Sequence, residues 1–505
     1  MSNMKIVTAA EMRCLEDESV RFGVSTEQLM ENAGLAVAQS VRRILGTVAG
    51  KRIIVLIGPG NNGGDGLVAA RCLSDWGVLV HVFLAGARSE DDDNLKSVRE
   101  RGIVVTSQNL SELGSLLKGA DAVLDAIFGT GQNRGIGGIY KDVLEKLAET
   151  KQCHPSVKVF AVDLPSGLDS DTGKPDPATP FVDHTLVLGL SKRGLYVPEG
   201  AARAGEVVLL DIGLPLHLTA GLGTELLTAE LVRTLLPLRS PYAHKGSNGK
   251  VLVVAGSASY IGAAYLACAG AARAGAGLVA LAAPMSIIPA VAAGIPEIIY
   301  LPLPEIEELA KSADRYDAVL IGPGLGQKRA EALLGQIVFG ALPKHLILDA
   351  DALNALSQMG EWWKHLADDA VLTPHPGEMG RLTGLAADEV QAGRIALARE
   401  KAALWGKTVV LKGAFSVIAA PDGRCRVSPF ANAAMASAGT GDVLAGVVAG
   451  LLGQGLPLFD AASLGVYLHA RAGERAKTLI GEIGMLASDL LPELPRAIQE
   501  LRDAR

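Results

Sequence analysis

The first residues equipped for chemistry lie in a glycine-rich segment, Gly58–Gly66, between a β-branched run at Arg52–Ile57 and a helical stretch from Leu67. Glycines accept positive φ and leave backbone N–H groups bare, and the N-terminus of the following helix attracts anions. The segment therefore predicts a phosphate-binding loop. It matches the GxGxxG spacing of nicotinamide dehydrogenases, but the next predicted strand runs into Ala85–Arg88 and lacks the acidic residue that holds a ribose in those enzymes. The segment also lacks the GK[ST] sequence of a Walker phosphate loop. A hydride-transferring domain is thus disfavoured.

Acidic and hydroxyl side chains follow the next predicted strands of the first half. Asp125 opens a second glycine loop that reaches Gly135, and Asp163 and Ser166 follow a third strand. Because ligands bind at the carboxyl ends of parallel strands, the three loops should meet at one edge of the sheet. Asn62, Asp125 and Ser166 then offer hard oxygen ligands for a monovalent or weakly held cation, and Asp163 is the candidate acid/base. The alternative is that Asp125 and Asp163 only cap turns.

The strongest signal in the second half is Asn432–Gly446, in which Gly439, Thr440 and Gly441 open an apolar helix. The N-terminal amides of a helix can neutralise transferring phosphate oxygens. A carboxylate in its first turn, Asp442, can take the proton of a hydroxyl that attacks phosphorus. The alternative is a capped buried helix, although a cap needs one Asp or Ser and no flanking glycines.

Further polar groups follow other strands of this half. Lys412 can supply a point charge to a nucleotide phosphate. His375, between two prolines, is favoured as a substrate contact over a zinc ligand because no second His or Cys has metal spacing. A histidine without a functional role is the alternative there. Asp349 and Asp351 either orient Mg²⁺ or cap the next helix.

Short apolar runs that alternate with Ala/Leu-rich stretches must position these groups. Such runs are typical of parallel strands buried on both faces, and their repetition with helices predicts doubly wound α/β sheets. The pattern lapses over Gly213–Ser247 and turns helical from Asp442 to the end, so we predict two different three-layer αβα domains, residues 1–224 and 225–505. The predicted strands are Arg52–Ile57, Val78–Leu84, Ile103–Thr106, Ala122–Asp125, Val157–Asp163, His184–Leu188 and Val207–Asp211, then Lys250–Ala255, Leu278–Ala282, Ile298–Leu301, Asp317–Ile321, Leu346–Asp349, Ala370–Thr373, Thr408–Leu411 and Ser416–Ala419.

Composition narrows the classes of protein further. The 505 residues carry a net charge of −7 and 20% charged residues without long runs of one sign, and only 4% are aromatic. These values argue against bulk disorder, a polybasic nucleic-acid or membrane surface and a base-stacking platform. Five scattered cysteines without a CxxC pair and the absence of a visible signal peptide favour a cytoplasmic protein. The uncharged run Val251–Ala272 is interpreted as a buried strand, turn and helix.

The motifs of the first half resemble the NAD(P)H-hydrate epimerase family over residues 1–220. They are Glu31–Gly34, Gly58–Arg71, Asp125–Gly135 and Asp163–Asp169. The resemblance implies a Rossmann-like domain that interconverts the R and S forms of hydrated NADH or NADPH, with Asp163 as the catalytic residue. It implies K⁺ at Asn62, Asp125 and Ser166 and substrate contacts at Asn61, Asn62, Gly63, Gly64, Asp65, Gly129, Thr130, Gly131, Gln132, Asn133, Arg134, Gly135 and Asp163.

The motifs of the second half resemble the ribokinase-like superfamily, and specifically the ADP-dependent NAD(P)H-hydrate dehydratase family, over roughly residues 225–505. The resemblance implies ADP as co-substrate, and we expect Mg²⁺ with it. Ser416 departs from the threonine of a KGxxT pattern but keeps the hydroxyl. The implied hydrate contacts are Ala263, Gly326, His375 and Asp442, with Asp442 catalytic, and the implied nucleotide contacts are Lys412, Gly413, Ala414, Phe415, Ser416 and Gly441.

Both halves therefore point to one damaged metabolite, and together they resemble bifunctional enzymes that repair hydrated NAD(P)H. The expected partners are hydrated NADH, hydrated NADPH and ADP, with no nucleic acid or membrane, and we expect a homo-oligomer. Two alternatives stay open. One is a ribokinase-like kinase of a small molecule, whose phosphate stays on the product, and the other is a first half that binds a nucleotide without catalysis.

Overall fold

The computed structural model describes residues 4–131, 134–303, 313, 315–337 and 345–503. It divides the chain into two compact units, Met1–Leu222 and Gly223–Arg505. This division lies two residues before the expected boundary at 224/225. The reason is that Thr224 begins a strand of the second unit, which pairs in parallel with a strand at Cys425–Val427.

The first unit is built on a parallel sheet of seven strands. Their order is β4–β3–β2–β5–β6–β7–β9, so the chain builds outward from β2 in one direction and from β5 in the other. The carboxyl ends of β2 and β5 form the crevice where such sheets bind ligands. The strands of this unit, including a separate parallel pair of β1 with β8, are β1 Ile6–Val7, β2 Arg52–Ile57, β3 Leu79–Leu84, β4 Val104–Ser107, β5 Ala122–Ala126, β6 Lys158–Val162, β7 His184–Leu188, β8 Ser191–Lys192 and β9 Glu206–Leu210.

Helices cover both faces of this sheet. Ile53, Val55 and Ile57 of β2 belong to one apolar core, whereas Ile54 and Leu56 belong to the core on the opposite face. A strand buried on both faces has no polar side, which explains its continuous apolar sequence. The helices are α1 Ala9–Arg21, α2 Thr26–Leu45, α3 Asn61–Asp75, α4 Asp93–Glu100, α5 Leu110–Lys118, α6 Ile139–Cys153 and α7 Pro198–Ala204, with 3₁₀ turns at Arg193–Tyr196 and Leu216–Gly221.

The second unit has a ten-stranded sheet in the order β10–β19–β18–β17–β16–β15–β14–β11–β12–β13. All pairs are parallel except those that β18 makes with β17 and β19. The direction of winding reverses between β11 and β14, so a second crevice opens there. The strands are β10 Thr224–Leu226, β11 Lys250–Val254, β12 Leu278–Ala283, β13 Ile299–Pro302, β14 Ala318–Ile321, β15 Leu346–Leu348, β16 Ala370–Leu372, β17 Thr408–Leu411, β18 Val417–Ala419 and β19 Cys425–Val427.

Two apolar helices cross at very short range over this sheet, α9 (Ile261–Arg273) and α16 (Thr440–Gly453). A Cβ on Gly446 would lie 2.1 Å from the carbonyl oxygen of Ala267, so only glycine allows this approach. The close contact fixes how α16 packs against α9. The other helices are α8 Ala229–Thr234, α10 Ile288–Gly294, α11 Gln327–Ile337, α12 Asp351–Leu356, α13 Pro376–Thr383, α14 Ala387–Ala392, α15 Arg394–Trp405, α17 Leu458–Ile480 and α18 Ala487–Asp503, with 3₁₀ turns at Trp362–Lys364 and Ala433–Met435.

The predicted fold class, two α/β domains with mainly parallel sheets, is confirmed. Each of the fifteen strands predicted from apolar runs is present within two residues of its expected ends, and the run Val251–Ala272 is a strand, a turn and a helix. The short strands at Ile6–Val7, Ser191–Lys192, Thr224–Leu226 and Cys425–Val427 were not predicted, because two or three residues carry no readable pattern. No helix within the described ranges has the length and apolar character that a membrane crossing requires.

Candidate active sites

The glycine loop after β2 is held against the loop after β5. A Cβ on Gly58 would lie 1.9 Å from the carbonyl oxygen of Ile127, so the two loops touch through backbone alone. Helix α3 then starts at Asn61 without a side-chain cap, which leaves its first amides for a ligand. Arg88, which occupies the place of a ribose-binding acid, donates to the carbonyl oxygens of Gly58 and Gly60 at 2.9 and 3.1 Å. It therefore fastens the loop.

Two of the three predicted cation ligands meet in the structure. The hydroxyl of Ser166 donates to Asp125 at 2.6 Å, and the Ser166 amide donates to the other carboxylate oxygen at 2.9 Å. Asp125 is fully buried, and burial raises its pKa. In the part of the chain that the structure describes, no Lys, Arg or His forms an ion pair with Asp125, and the buried amide nitrogen of Asn62 has no hydrogen-bond partner. The carboxyl of Asp125 and the hydroxyl of Ser166 are hard oxygen ligands that fit a monovalent cation, and Asn62 would have to turn its amide oxygen towards it.

Asp163 follows β6 with a positive φ of 65° and is almost completely buried. Its carboxylate accepts a hydrogen bond from the Leu188 amide at 3.1 Å and an ion-pair contact from Lys192. Lys192 is 1% exposed and also donates to the carbonyl oxygen of Leu188 at 2.9 Å. The sequence analysis missed this lysine. Its only signal was a charged residue four positions after the apolar run at His184–Leu188.

A cavity of about 420 Å³ opens beside Asp163 at the carboxyl end of the sheet. Asp65 from α3 and Glu16 from α1 also line it, and Glu16 was not predicted. The predicted residues on its wall are Asn61, Asn62, Asp65, Gly129, Thr130, Gly131 and Asp163, whereas Gly63, Gly64, Arg134 and Gly135 lie off the wall and Gln132 and Asn133 lie outside the described residues.

In the second unit, Asp442 lies in the first turn of α16, as predicted. Gly439 caps this helix with a φ of 90°, a left-handed conformation that glycine adopts without strain. Burial, and next the negative charge of Asp349, raises the pKa of Asp442 to about 7. A carboxyl that ionises near neutral pH is suited to take a proton in one step and release it in the next.

Lys412 is surrounded by carboxylates. Its ammonium lies 2.6 Å from Asp349 and 3.8 Å from Glu378, and a Cβ on Gly441 would lie 3.3 Å from it. Burial by itself favours the neutral amine, but Asp349 and Glu378 leave the pKa of Lys412 above its ordinary value. Much of its charge is therefore already paired within the protein. The prediction that Lys412 supplies a point charge to a nucleotide phosphate did not include this pairing.

Asp349 is fully buried after β15, and one of its oxygens has no partner in the described structure. The other accepts a hydrogen bond from the hydroxyl of Thr373 at 2.8 Å. Asp351 begins α12 and accepts from the amide of Gly326 at 2.8 Å. Neither residue caps α12 through its side chain, so the capping alternative is wrong. No group of three or more His, Cys, Asp or Glu in the described ranges has the arrangement of a metal site.

His375 is the N-cap of α13. Its Nδ1 accepts from the amide of Gly377 at 3.0 Å, and Glu378 accepts from the His375 amide at 2.8 Å. The ring nitrogen that accepts carries no proton, so Nε2 is the donor. Partial burial, and next the charge of Lys412, lowers the pKa of His375. The residue is thus both a helix cap and a neutral group beside the cavity described next.

A cavity of about 640 Å³ lies beside α16. The loop Lys412–Ser416 forms one wall, and Ser416 closes that loop by donating to the Gly413 carbonyl oxygen at 2.8 Å. His469 of α17, which was not predicted, contacts the Thr440 carbonyl oxygen at 2.8 Å, and burial lowers its pKa to about 4. The predicted residues on the wall are His375, Lys412, Gly413, Ala414, Ser416 and Gly441; Ala263, Gly326, Phe415 and Asp442 are not on it.

Ala263 and Gly326 belong to a neighbouring region. A Cβ on Gly324 would lie 2.9 Å from Cβ of Ala263, and Gly326 is bonded to Asp351. The charge of Asp351 contributes to the raised pKa of Asp442, which places both aspartates within electrostatic range. Asp442 directly follows Gly441 of the cavity wall, and Asp351, which holds Gly326, lies within electrostatic range of it.

The fold and these sites define a two-domain α/β enzyme, with a candidate acid/base carboxyl in each unit, Asp163 directly after β6 and Asp442 in the first turn of α16. Residues 251–496 match the family described as NAD(P)H-hydrate dehydratase, and residues 26–194 match the family described as YjeF-related protein N-terminus. The chain belongs to the family of bifunctional NAD(P)H-hydrate repair enzymes.

Relatives of the same description cover the chain from end to end. The bifunctional NAD(P)H-hydrate repair enzyme of Moorella thermoacetica is 40% identical over 99% of this chain and 98% of its own length. That of Thermofilum pendens is 38% identical over 99% and 97%. Among solved structures, the ADP/ATP-dependent NAD(P)H-hydrate dehydratase of Bacillus subtilis, crystallised with ATP and Mg²⁺, is 35% identical, covers 55% of this chain and 98% of its own, and has a TM-score of 0.48.

Proposed function

We propose that this protein repairs hydrated NADH and NADPH with two activities. The first unit interconverts the R and S epimers, and the second converts the S epimer to NAD(P)H while ADP becomes AMP and phosphate. The family membership supports both activities. The observation that carries the proposal is that each unit has a carboxyl near a helix start without a side-chain cap. Buried Asp163 shares the wall of the 420 Å³ cavity with the first residues of α3, and partly buried Asp442 lies in the first turn of α16.

Hydration of the nicotinamide ring leaves a hydroxyl on C6, next to the ring nitrogen N1. Hydroxide is a poor leaving group, whereas phosphate is a good one. In the second unit Asp442 takes the hydroxyl proton while the oxygen bonds to the terminal phosphorus of ADP and the bond to AMP breaks. The N1 lone pair then expels phosphate from C6, and loss of a C5 proton restores the C5=C6 bond. The amides around Gly441 stabilise the charge on the transferring phosphate.

In the second unit, separate groups of residues are proposed to bind the nucleotide and the hydrate. The nucleotide is proposed to occupy the cavity lined by Lys412–Ser416, and the hydrate is proposed to contact Ala263, Gly326 and His375. Asp442, which directly follows Gly441 of the cavity wall, is proposed to act where the two ligands meet, as a base that serves a hydroxyl directed at phosphorus must. Mg²⁺, when bound with the nucleotide, would neutralise phosphate charge, and Asp349, which has one unpartnered oxygen, is proposed to help hold it.

In the first unit, Asp163 is proposed as the catalytic residue and the wall from Asn61 to Asp65 as part of the substrate site. Asn62, Asp125 and Ser166 would hold K⁺, which would supply positive charge near the substrate phosphates.

The homo-oligomer and the cytoplasmic location stay predictions. Light scattering on the purified protein can test the first, and cell fractionation the second.

One experiment separates the proposal from its alternatives. Purified protein is incubated with mixed R and S hydrates of NADH plus ADP or ATP, and the absorbance of recovered NADH is followed. Wild type is expected to recover all of the NADH. Asp163→Ala should recover only the share that starts as the S epimer, after correction for spontaneous epimerisation. Asp442→Ala should recover none. A stable phosphorylated product would show a kinase instead. Unchanged conversion by Asp163→Ala would show that the first unit binds a nucleotide without catalysis.

A further inference from the structure

Three carboxyls, those of Glu16, Asp65 and Asp163, and two cationic side chains, Arg13 and Lys192, share the wall of the 420 Å³ cavity in the first unit. Asp163 and Asp65 are 6% and 8% exposed, and Lys192 is 1% exposed. Lys192 contacts Asp163, whereas Asp65 forms no ion pair within the described part of the chain. A lysine is almost never fully buried without a partner, and a buried ion pair is weak evidence for stability. The pair at the cavity wall therefore calls for a functional explanation.

The charges around the two aspartates differ. Burial, and next the negative charge of Asp163, raises the pKa of Asp65 well above its ordinary value. Glu16 from α1 adds negative charge, while Lys192 and Arg88 oppose the shift with smaller effects. Burial also raises the pKa of Glu16. Asp163, in contrast, has the ammonium of Lys192 in direct contact.

The epimerisation requires a base and an acid at once. A base removes the C6 hydroxyl proton, the oxygen electrons form a C6=O bond, and the C6–N1 bond breaks while an acid gives its proton to N1. Rotation about the C5–C6 bond presents the other face of the aldehyde to N1. The ring closes when N1 attacks C6, the acid recovers its proton from N1 and the base returns its proton to the oxygen. No oxidant or further reactant is consumed.

We infer that Lys192 is a positioning residue of this epimerisation, whose ion pair with Asp163 assigns the base to Asp163 and leaves Asp65 as the acid. The inference rests on the proposed epimerase activity. Lys192 also fixes the direction of the base, because its ammonium bonds the Leu188 carbonyl oxygen while the Leu188 amide bonds Asp163. Asp163, with a φ of 65°, is thus held on two sides.

The test measures R-to-S conversion by wild type, Lys192→Met, Lys192→Arg and the double variant Lys192→Met/Asp163→Asn. Lys192→Met is expected to lower kcat at least about ten-fold with KM changed less than about three-fold, and to move the acidic limb of the pH–rate profile to higher pH. Lys192→Arg, which keeps a cation, should recover part of kcat and return the limb towards wild type. The double variant should be no slower than Asp163→Asn alone, because Lys192 acts through Asp163.

A matched control is Lys151→Met, since Lys151 also pairs with an aspartate of the first unit, Asp183 at 2.7 Å, but lies off the cavity wall. It should retain wild-type kcat. ADP-dependent dehydration of the pure S epimer should be unchanged in every variant and shows that the chain is intact. If wild type itself fails to interconvert the epimers, the proposed function is wrong. If wild type converts them but Lys192→Met keeps kcat and its pH profile, or changes KM alone, the inference is overturned.

A second measurement does not depend on the folding of a lysine variant. Infrared difference spectra of wild type minus Asp65→Asn, recorded at pH 6 and again at pH 8, should show the C=O stretch of a protonated carboxylic acid. Absence of that band from wild type at both pH values would show that Asp65 is not the acid and would overturn the assignment.

Discussion

Asp442→Asn is predicted to abolish dehydration and yet to stabilise the second unit above neutral pH. The pKa of Asp442 is about 7 in the folded chain, against an ordinary value of 3.8. The three-unit difference corresponds to about 4 kcal/mol, an upper limit because the side chain is only partly enclosed. The folded chain binds this proton more tightly than the unfolded chain, so the penalty is absent below about pH 4, grows with pH and is complete above about pH 7.

The asparagine removes this penalty without changing the shape of the side chain. Between pH 5 and pH 8 the stability advantage of Asp442→Asn over wild type should grow by roughly 2 kcal/mol, or about 5 °C in Tm for a unit of this size. Calorimetry of the full chain at the two pH values measures it, with the transition of the second unit identified by its response to ADP.

Asp388→Asn is the matched control, because Asp388 is exposed in the same unit. Its Tm should stay within about 1 °C of wild type at both pH values, since exposed substitutions change stability little. An Asp442→Asn chain that melts below wild type at pH 8, or whose advantage does not grow with pH, would refute the reasoning that this carboxyl is ionised against the preference of its surroundings.

Three further outcomes follow from the same geometry. Because Asp442 must be ionised to act as base, kcat for dehydration should fall roughly ten-fold from pH 8 to pH 6 in stopped assays, and a flat profile would contradict this. Asp125→Asn should slow epimerisation and abolish its preference for KCl over NaCl buffers, while dehydration stays unchanged. If K⁺ still stimulated epimerisation by this variant, the proposed K⁺ site at Asp125 would be wrong. Gly446→Ala should destabilise the second unit by about 3 kcal/mol, measured by urea titration, because the new Cβ would meet the Ala267 carbonyl oxygen. Gly335→Ala is the control: its Cβ would enter open space, so the change should be neutral or stabilising by about 1 kcal/mol.

The candidate sites were predictable where chemistry coincided with a local pattern. Asp125 lies at the end of an apolar strand, Asp163 and Asp349 directly follow one, and Asp442 follows glycines at a helix start. A short stretch of sequence was therefore enough to select them. The same patterns led to the separate resemblances for the two halves. Gly63 and Gly64 were selected by the same motif but lie behind the cavity wall, because a motif does not distinguish a glycine that contacts a ligand from one that lets helix α3 pack closely.

Lys192 and His469 show what could not be predicted. Lys192 lies on a two-residue strand, and His469 lies in the middle of a long helix, so neither has a sequence neighbour that marks it. Each becomes part of a site only because a distant segment packs against it: Asp163 for Lys192, and Thr440 for His469. Glu16 reaches the first cavity in the same way, from α1.

The sequence alone determined the class of fold, the order of the strands along the chain and the types of side chain at the ends of most strands. Hydrophobic burial and glycine conformations are local requirements, and they therefore leave local patterns in the sequence. Only the tertiary structure decided which charges meet. The pairing of Lys412 with Asp349, the compensation of Asp163 by Lys192 and the near-neutral pKa of Asp442 depend on burial and on neighbours far apart in sequence. Electrostatic interactions act through space, and their strength is set by distance and by exclusion of water, neither of which is written in the order of the residues.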